Sequence, residues 1–141
     1  MLKGISPLIS PELLKVLCEM GHGDEIVLAD ANFPSETTGK RVIRADGISA
    51  TELLDAILKL VPLDTYEEER FVLMDVVKGD PVVPTIWEDY KKVLAKYEPE
   101  TPVTYMERFA YYERAKEAYC VVATGETAQY ANIILKKGVV K

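Results

Sequence analysis

The sequence predicts a single compact α/β domain over residues 1–141, a layered fold with a mainly parallel sheet flanked by helices. Three observations carry that class. Segments with helical periodicity alternate along the chain with short runs rich in Val, Ile and Leu. Runs such as Ile26-Val27-Leu28-Ala29 are apolar at every position, as in strands covered on both faces. Hydrophobic residues make up 48% of the 141, enough for one real core, and no repeat, low-complexity tract or Pro/Gly-rich linker divides the chain.

Ser10-Pro11-Glu12 starts the first helix, with a capping hydroxyl, a proline at the first helical position and an acid in the first turn. Leu13, Leu14, Leu17 and Met20 give it an apolar face over 11–20, and Gly21 stops it. Residues 25–30 form the first strand, and the polar stretch from Asn32 to Lys40 is a loop. Arg41-Val42-Ile43-Arg44 reads as a short strand. Ser49-Ala50-Thr51-Glu52 then has capping-box spacing ahead of a helix over about 50–60 that Pro62 ends. A third strand, Phe71–Val77, is closed by Gly79-Asp80-Pro81.

Ile86, Trp87, Tyr90, Leu94 and Tyr97 repeat at helical spacing over 85–97, a core stripe rather than an aromatic binding platform. A fourth helix near 108–118 is expected to bury Phe109, Tyr112, Ala115 and Tyr119 on one side. A strand over 119–123 follows, then a short helix from Thr124-Gly125-Glu126-Thr127. Asn132-Ile133-Ile134-Leu135 is the last strand, ending near Gly138.

A net charge of −6 disfavours nucleic-acid binding, which needs clustered Lys and Arg, and a neutral or polar small ligand fits better. The opening residues lack the pattern of a secretory signal, and no apolar run approaches a membrane span. Cys18 and Cys120 stand in apolar runs without partners at metal-ligand spacing and read as reduced core thiols, in keeping with the cytoplasm. Walker-type and dinucleotide glycine loops, the Gly-x-Ser-x-Gly elbow and paired histidines are all absent. No metal or other cofactor is expected.

The only histidine, His22, sits in Gly21-His22-Gly23-Asp24 at a helix-to-strand junction, a placement suited to proton transfer near neutrality. The flanking glycines allow positive φ and close approach of a ligand, and the preceding helix end is expected to favour the protonated ring. Asp30 ends the first strand, and Thr124 ends a later one, where ligands collect in folds of this class. Taken alone, Arg108 is a surface helix residue, Tyr130 a half-buried aromatic and Asn132 a turn residue.

Longer segments add a resemblance. Ser6-Pro7-Leu8-Ile9-Ser10-Pro11-Glu12-Leu13-Leu14-Lys15, Glu19-Met20-Gly21-His22-Gly23-Asp24-Glu25-Ile26 with Asp30-Ala31, and Val42-Ile43-Arg44-Ala45-Asp46-Gly47 belong to it. So do Arg108–Ala115, Thr124-Gly125-Glu126 and Tyr130–Val139. Together they resemble the family that pairs fucose mutarotases with ribose pyranases, cofactor-independent enzymes that interconvert sugar anomers or ring forms. Residues 62–103 match more loosely. The resemblance implies His22 as general acid and sugar-contacting roles for Asp30, Arg108, Tyr130, Ala131 and Asn132, with Tyr112 and Glu113 as weaker candidates.

The segment after Arg108 resembles the fucose branch more than the ribose branch. Ala131, where some members carry glycine, adds a methyl beside the expected contacts, and Tyr111 replaces a phenylalanine. The implied reaction is exchange of the α and β anomers of L-fucose, with ribose pyranase activity and a non-catalytic sugar-binding module as the alternatives. The resemblance further implies homo-oligomeric rings, pentamers stacked into decamers, with sites near subunit boundaries.

Overall fold

The structure, a computed structural model, describes residues 1–141. Its elements in chain order are α1 (Pro11–Glu19), β1 (Glu25–Ala29), α2 (Ser35–Thr38), β2 (Val42–Ala45), α3 (Ala50–Leu58) and β3 (Phe71–Met74). They continue with α4 (Ile86–Tyr97), β4 (Thr104–Met106), α5 (Arg108–Glu117), β5 (Cys120–Thr124) and β6 (Ile133–Lys136). Both serine caps form. Ser10 accepts from the Leu13 amide at 3.1 Å and Ser49 from the Glu52 amide at 3.3 Å.

The six strands lie in the order β2-β5-β1-β6-β3-β4. β1 and β2 run parallel to β5, and β3 runs parallel to β4. Only β6 is reversed, pairing antiparallel with β1 and β3, so the sheet is mixed but mainly parallel. One edge of the sheet therefore gathers the carboxyl ends of β1, β3, β4 and β5 together with the start of β6. That edge is where ligands bind in layered α/β folds.

Strand β1 is buried from Ile26 to Ala29, and alternate residues feed two cores. Ile26 and Leu28 face a larger one with Leu13 and Leu17 of α1, Leu53 and Ile57 of α3, and Tyr90 and Leu94 of α4. Val27 and Ala29 face a smaller one with Phe33 and with Tyr111 and Ala115 of α5. The helical stripes of α1, α3 and α4 exist because each helix has one sheet face to cover.

Several expectations are corrected. The strand from Phe71 stops at Met74, and the loop over 32–40 contains the single turn α2. Strand β4, three residues long beside Pro102, is not foreseen by any apolar run. The run after Thr124 forms no helix, because its backbone is committed elsewhere. Gly125 donates to the Ile48 carbonyl at 2.9 Å, Ala31 donates to the Glu126 carbonyl at 2.7 Å, and Tyr90 Oη donates to the Ala131 carbonyl at 2.7 Å. Helix α5 buries Tyr111 and Ala115 and leaves Phe109 exposed, so its inner face is rotated from the expected one. Cys18 is exposed rather than in the core, whereas Cys120 is buried and its thiol is pushed up to about 11 by burial.

Gly125 lets the exit of β5 pass the turn after β2. A Cβ built there would lie 2.0 Å from the Asp46 carbonyl oxygen, a backbone atom that cannot swing aside. Gly125→Ala is expected to destabilise the fold by about 1–3 kcal/mol, read as a lowered denaturant midpoint with unchanged slope.

Candidate active site

A cavity of about 260 Å³ opens at the carboxyl edge of the sheet, lined among others by Asp30, Asp80, Arg108, Tyr112, Tyr130 and Asn132. A larger concavity of about 1000 Å³ lies between the N-terminal segment and α3 and α4. It is a broad groove whose charges answer each other, Lys96 Nζ lying 3.0 Å from Asp55 Oδ1, and nothing in it converges on a ligand. The smaller cavity is just below the range that encloses drug-sized ligands and suits a monosaccharide.

Asp30 follows β1 directly and is buried. Its backbone N–H donates to Asn132 Oδ1 at 2.7 Å, locking the end of β1 to the start of β6. Its Oδ1 accepts from the Asn32 amide at 3.0 Å. Burial pushes the Asp30 carboxyl above its ordinary value, outweighing the amides that stabilise the carboxylate. Thr124, the other strand-end residue, donates from Oγ1 to the Ala29 carbonyl at 2.6 Å and is a buried strut outside the cavity lining.

Tyr130 is the one non-glycine residue with positive φ, at 56°. Trp87 Nε1 donates to its carbonyl at 2.8 Å, and its hydroxyl donates to Asp80 Oδ2 at 2.5 Å. That phenol and the Val82 amide hold the Asp80 carboxyl below the usual range. The cavity thus carries two carboxylates driven in opposite directions. Arg108 opens α5 at the mouth, where Glu107 caps the helix by accepting from the Phe109 and Ala110 amides at 2.9 and 3.0 Å. The guanidinium carbon lies 5.4 and 5.6 Å from the ring centres of Phe109 and Tyr112.

Of the residues singled out from sequence, Asp30, Arg108, Tyr112, Tyr130 and Asn132 meet here. Ala131 does not line the cavity: its carbonyl accepts from the buried Tyr90 hydroxyl and its methyl lies in the larger core rather than beside a ligand. It reaches the site only through its backbone N–H, which helps stabilise the Asp30 carboxylate. Glu113 stays on the surface of α5, paired with Lys116 at 2.8 Å. Asp80 is an addition: Gly79-Asp80-Pro81 reads only as a turn, and its partner Tyr130 is fifty residues away.

His22 lies elsewhere. It precedes β1, so it sits at the opposite edge of the sheet from Asp30, which follows it. Its Nε2 is 3.0 Å from Oδ1 of the buried Asp64, and the rings of His22 and Tyr66 are 5.4 Å apart. Gly23 takes the expected positive φ, at 88°. Lys137 Nζ donates to the Leu17 and Met20 carbonyls at 2.7 and 2.6 Å and so occupies the carboxyl end of α1.

An α/β domain with paired carboxylates, an arginine, an amide and a phenol converging on a sugar-sized cavity is a protein built to hold a small polyhydroxylated ligand. The chain belongs to the RbsD / FucU transport protein family, whose profile matches residues 3–140. It is 53% identical over 140 residues to an L-fucose mutarotase of Histophilus somni (strain 2336), covering 99% of this chain and 97% of the relative. It is 55% identical over the same span and shares to an L-fucose mutarotase of Actinobacillus pleuropneumoniae serotype 5b (strain L20). Among solved structures, the fucose mutarotase from Streptococcus pneumoniae in complex with L-fucose superposes with a TM-score of 0.94 at 54% identity, covering 99% of this chain and all of that one.

Tyr130→Phe removes the donor to Asp80 and the acceptor for the Val77 amide. Faster hydrogen exchange at Val77 and its neighbours is expected, with α1 unaffected and global stability lowered by about 0.5–1.5 kcal/mol.

Proposed function

We propose that the chain interconverts the α and β anomers of L-fucose, without a cofactor, by opening and reclosing the sugar ring. One observation carries the reading: the cavity holds sugar-binding chemistry at the ligand edge of a chain that matches a fucose mutarotase along its length. In the proposed reaction His22 gives a proton to the ring oxygen while the anomeric hydroxyl loses its own. The carbonyl then turns and recloses on its other face. Asp30 is the acceptor we assign, because its proton affinity is raised while Asp80 is held ionised by Tyr130. Arg108, Tyr130 and Asn132 bind hydroxyls. General acid and base catalysis contributes on the order of 10²–10⁴-fold.

The eight positions from His22 to Asp30 include the whole of β1, which separates the two side chains by roughly 20 Å at the strand's rise per residue. No single chain closes that distance. The acid in the reading therefore comes from a neighbouring copy, which agrees with the ring-shaped assemblies that the family resemblance implies.

Three measurements test this. His22→Ala and Asp30→Asn are each expected to reduce fucose anomer exchange, followed by saturation-transfer NMR, by at least about 10²-fold. Refolding the two inactive variants together is expected to restore activity through mixed sites; no recovery overturns the shared site. Faster exchange of ribose than of fucose overturns the substrate.

The pH dependence has a defined sign. The exchange rate is expected to fall on the acid side at a pH above an ordinary aspartate's value of about 3.9, and Asp30→Asn removes that limb. A carboxyl raised by folding contributes stability below its unfolded pKa and loses it as pH rises through the folded one. Asp30→Asn is therefore expected to raise Tm at pH 7, with the gain shrinking as the pH falls into the ordinary carboxylate range.

A further inference from the structure

The contact between His22 and Asp64 plays no part in the sugar cavity, yet it decides which face of the imidazole can do chemistry. Resting on the reading of His22 as proton donor, we infer that Asp64 is a positioning residue: it holds His22 with the proton on Nε2 and leaves Nδ1 as the nitrogen that exchanges a proton with the sugar.

The geometry is built from two distant segments clipped to one strand end. Gly23 donates to the Lys137 carbonyl at 2.8 Å, and Asp64 donates to the Lys136 carbonyl at 3.0 Å, so residues 22 and 64 meet over the end of β6. The Asp64 side chain is 4% exposed. Burial alone would raise its carboxyl, but the His22 ring, the Tyr66 amide at 3.1 Å and nearby Lys136 outweigh it and hold the group below the ordinary carboxylate range. An ionised carboxylate only accepts hydrogen bonds, so the 3.0 Å contact requires a proton on Nε2. Nδ1 has no partner within the chain, and the imidazole side chain is 46% exposed. Tyr66 stands beside the ring as a buttress.

The proton count then closes. The imidazolium gives its Nδ1 proton to the ring oxygen as the bond from that oxygen to the anomeric carbon breaks. The anomeric hydroxyl gives its proton to Asp30 as the carbonyl forms. Nε2–H stays on Asp64 throughout, and reclosure returns both protons. A wrong tautomer is costly in the comparable histidine–aspartate pair of serine proteases, where exchanging the aspartate for asparagine lowers kcat about 10⁴-fold.

The single histidine makes the test direct, because it gives the only imidazole ¹⁵N signals of the chain. With the ring neutral, the native protein is expected to show one tautomer, Nε2–H, and the same chain unfolded in urea a mixture. Asp64→Asn is expected to restore a mixture in the folded state and to lower kcat for anomer exchange by about 10–100-fold with KM within about threefold. Asp64→Glu, which keeps a carboxylate, recovers part of both. Native populations equal to those of the unfolded chain overturn the inference, as does an Asp64→Asn protein with unchanged tautomer and kcat. If Asp64→Asn does not fold, the native and unfolded spectra of the unaltered chain decide alone. Exchange that survives His22→Ala sinks the functional reading instead, leaving the tautomer result standing.

Discussion

The residues gathered at both ends of the sheet depend on β6 running against the other five strands. Inserted between β1 and β3, it brings Tyr130 and Asn132 to the edge where the parallel strands finish. It then carries Lys136 and Lys137 to the opposite edge, where they anchor the His22 loop and Asp64. A parallel strand in that position would put its start at the wrong edge, and Asn132 could not lock the end of β1. The strand also acts as a ruler. Each residue adds about 3.3 Å along the sheet and turns the next side chain to the other face, so the separation of the two groups of anchored residues comes in fixed steps.

Three aspartates show how environment divides one residue type into different duties. Asp30 is shut away behind the ends of β1 and β6, where burial outweighs its neutral amide donors, so its proton affinity rises. Asp80 meets a phenol and an amide at a half-exposed turn and is held ionised. Asp64 is as deeply buried as Asp30, yet its donors prevail. The decisive difference is the balance of burial against the kind of group facing the carboxylate: neutral amides at Asp30, the His22 ring and Lys136 at Asp64, and a phenol and an amide at Asp80, where burial is the smallest cause.

Much of the fold is legible in the sequence because β1, α1, α3 and α4 write their burial locally: an unbroken apolar run, apolar residues at helical spacing, serines at the caps. Strand β4 is too short to carry a pattern, and the run after Thr124 has turn-forming residues whose backbone partners lie more than thirty positions away. The inner face of α5 is misread because Phe109 is spent beside Arg108 rather than in the core. For the site, Asp30, Arg108, Tyr130 and Asn132 follow from the motif segments. Asp80 and Asp64 do not, because each is defined by a partner fifty or forty-two residues distant, and no local signal marks either. The separation of His22 from Asp30 follows from their lying at the two ends of one strand, once that strand's length is known.

The left-handed backbone of Tyr130 has a thermodynamic consequence. A non-glycine residue held at a φ of 56° carries a cost of order 1 kcal/mol, and here Trp87, Tyr90, Val77 and Asp80 grip it and its neighbour from two segments. The wall of the cavity is thus ordered during folding, before any ligand arrives. A small molecule has too few atoms to offset the entropy of organising a loop on arrival. Rigidity bought in advance lets weak hydroxyl contacts translate into occupancy, and it leaves the pocket able to receive either anomer without rearranging around it.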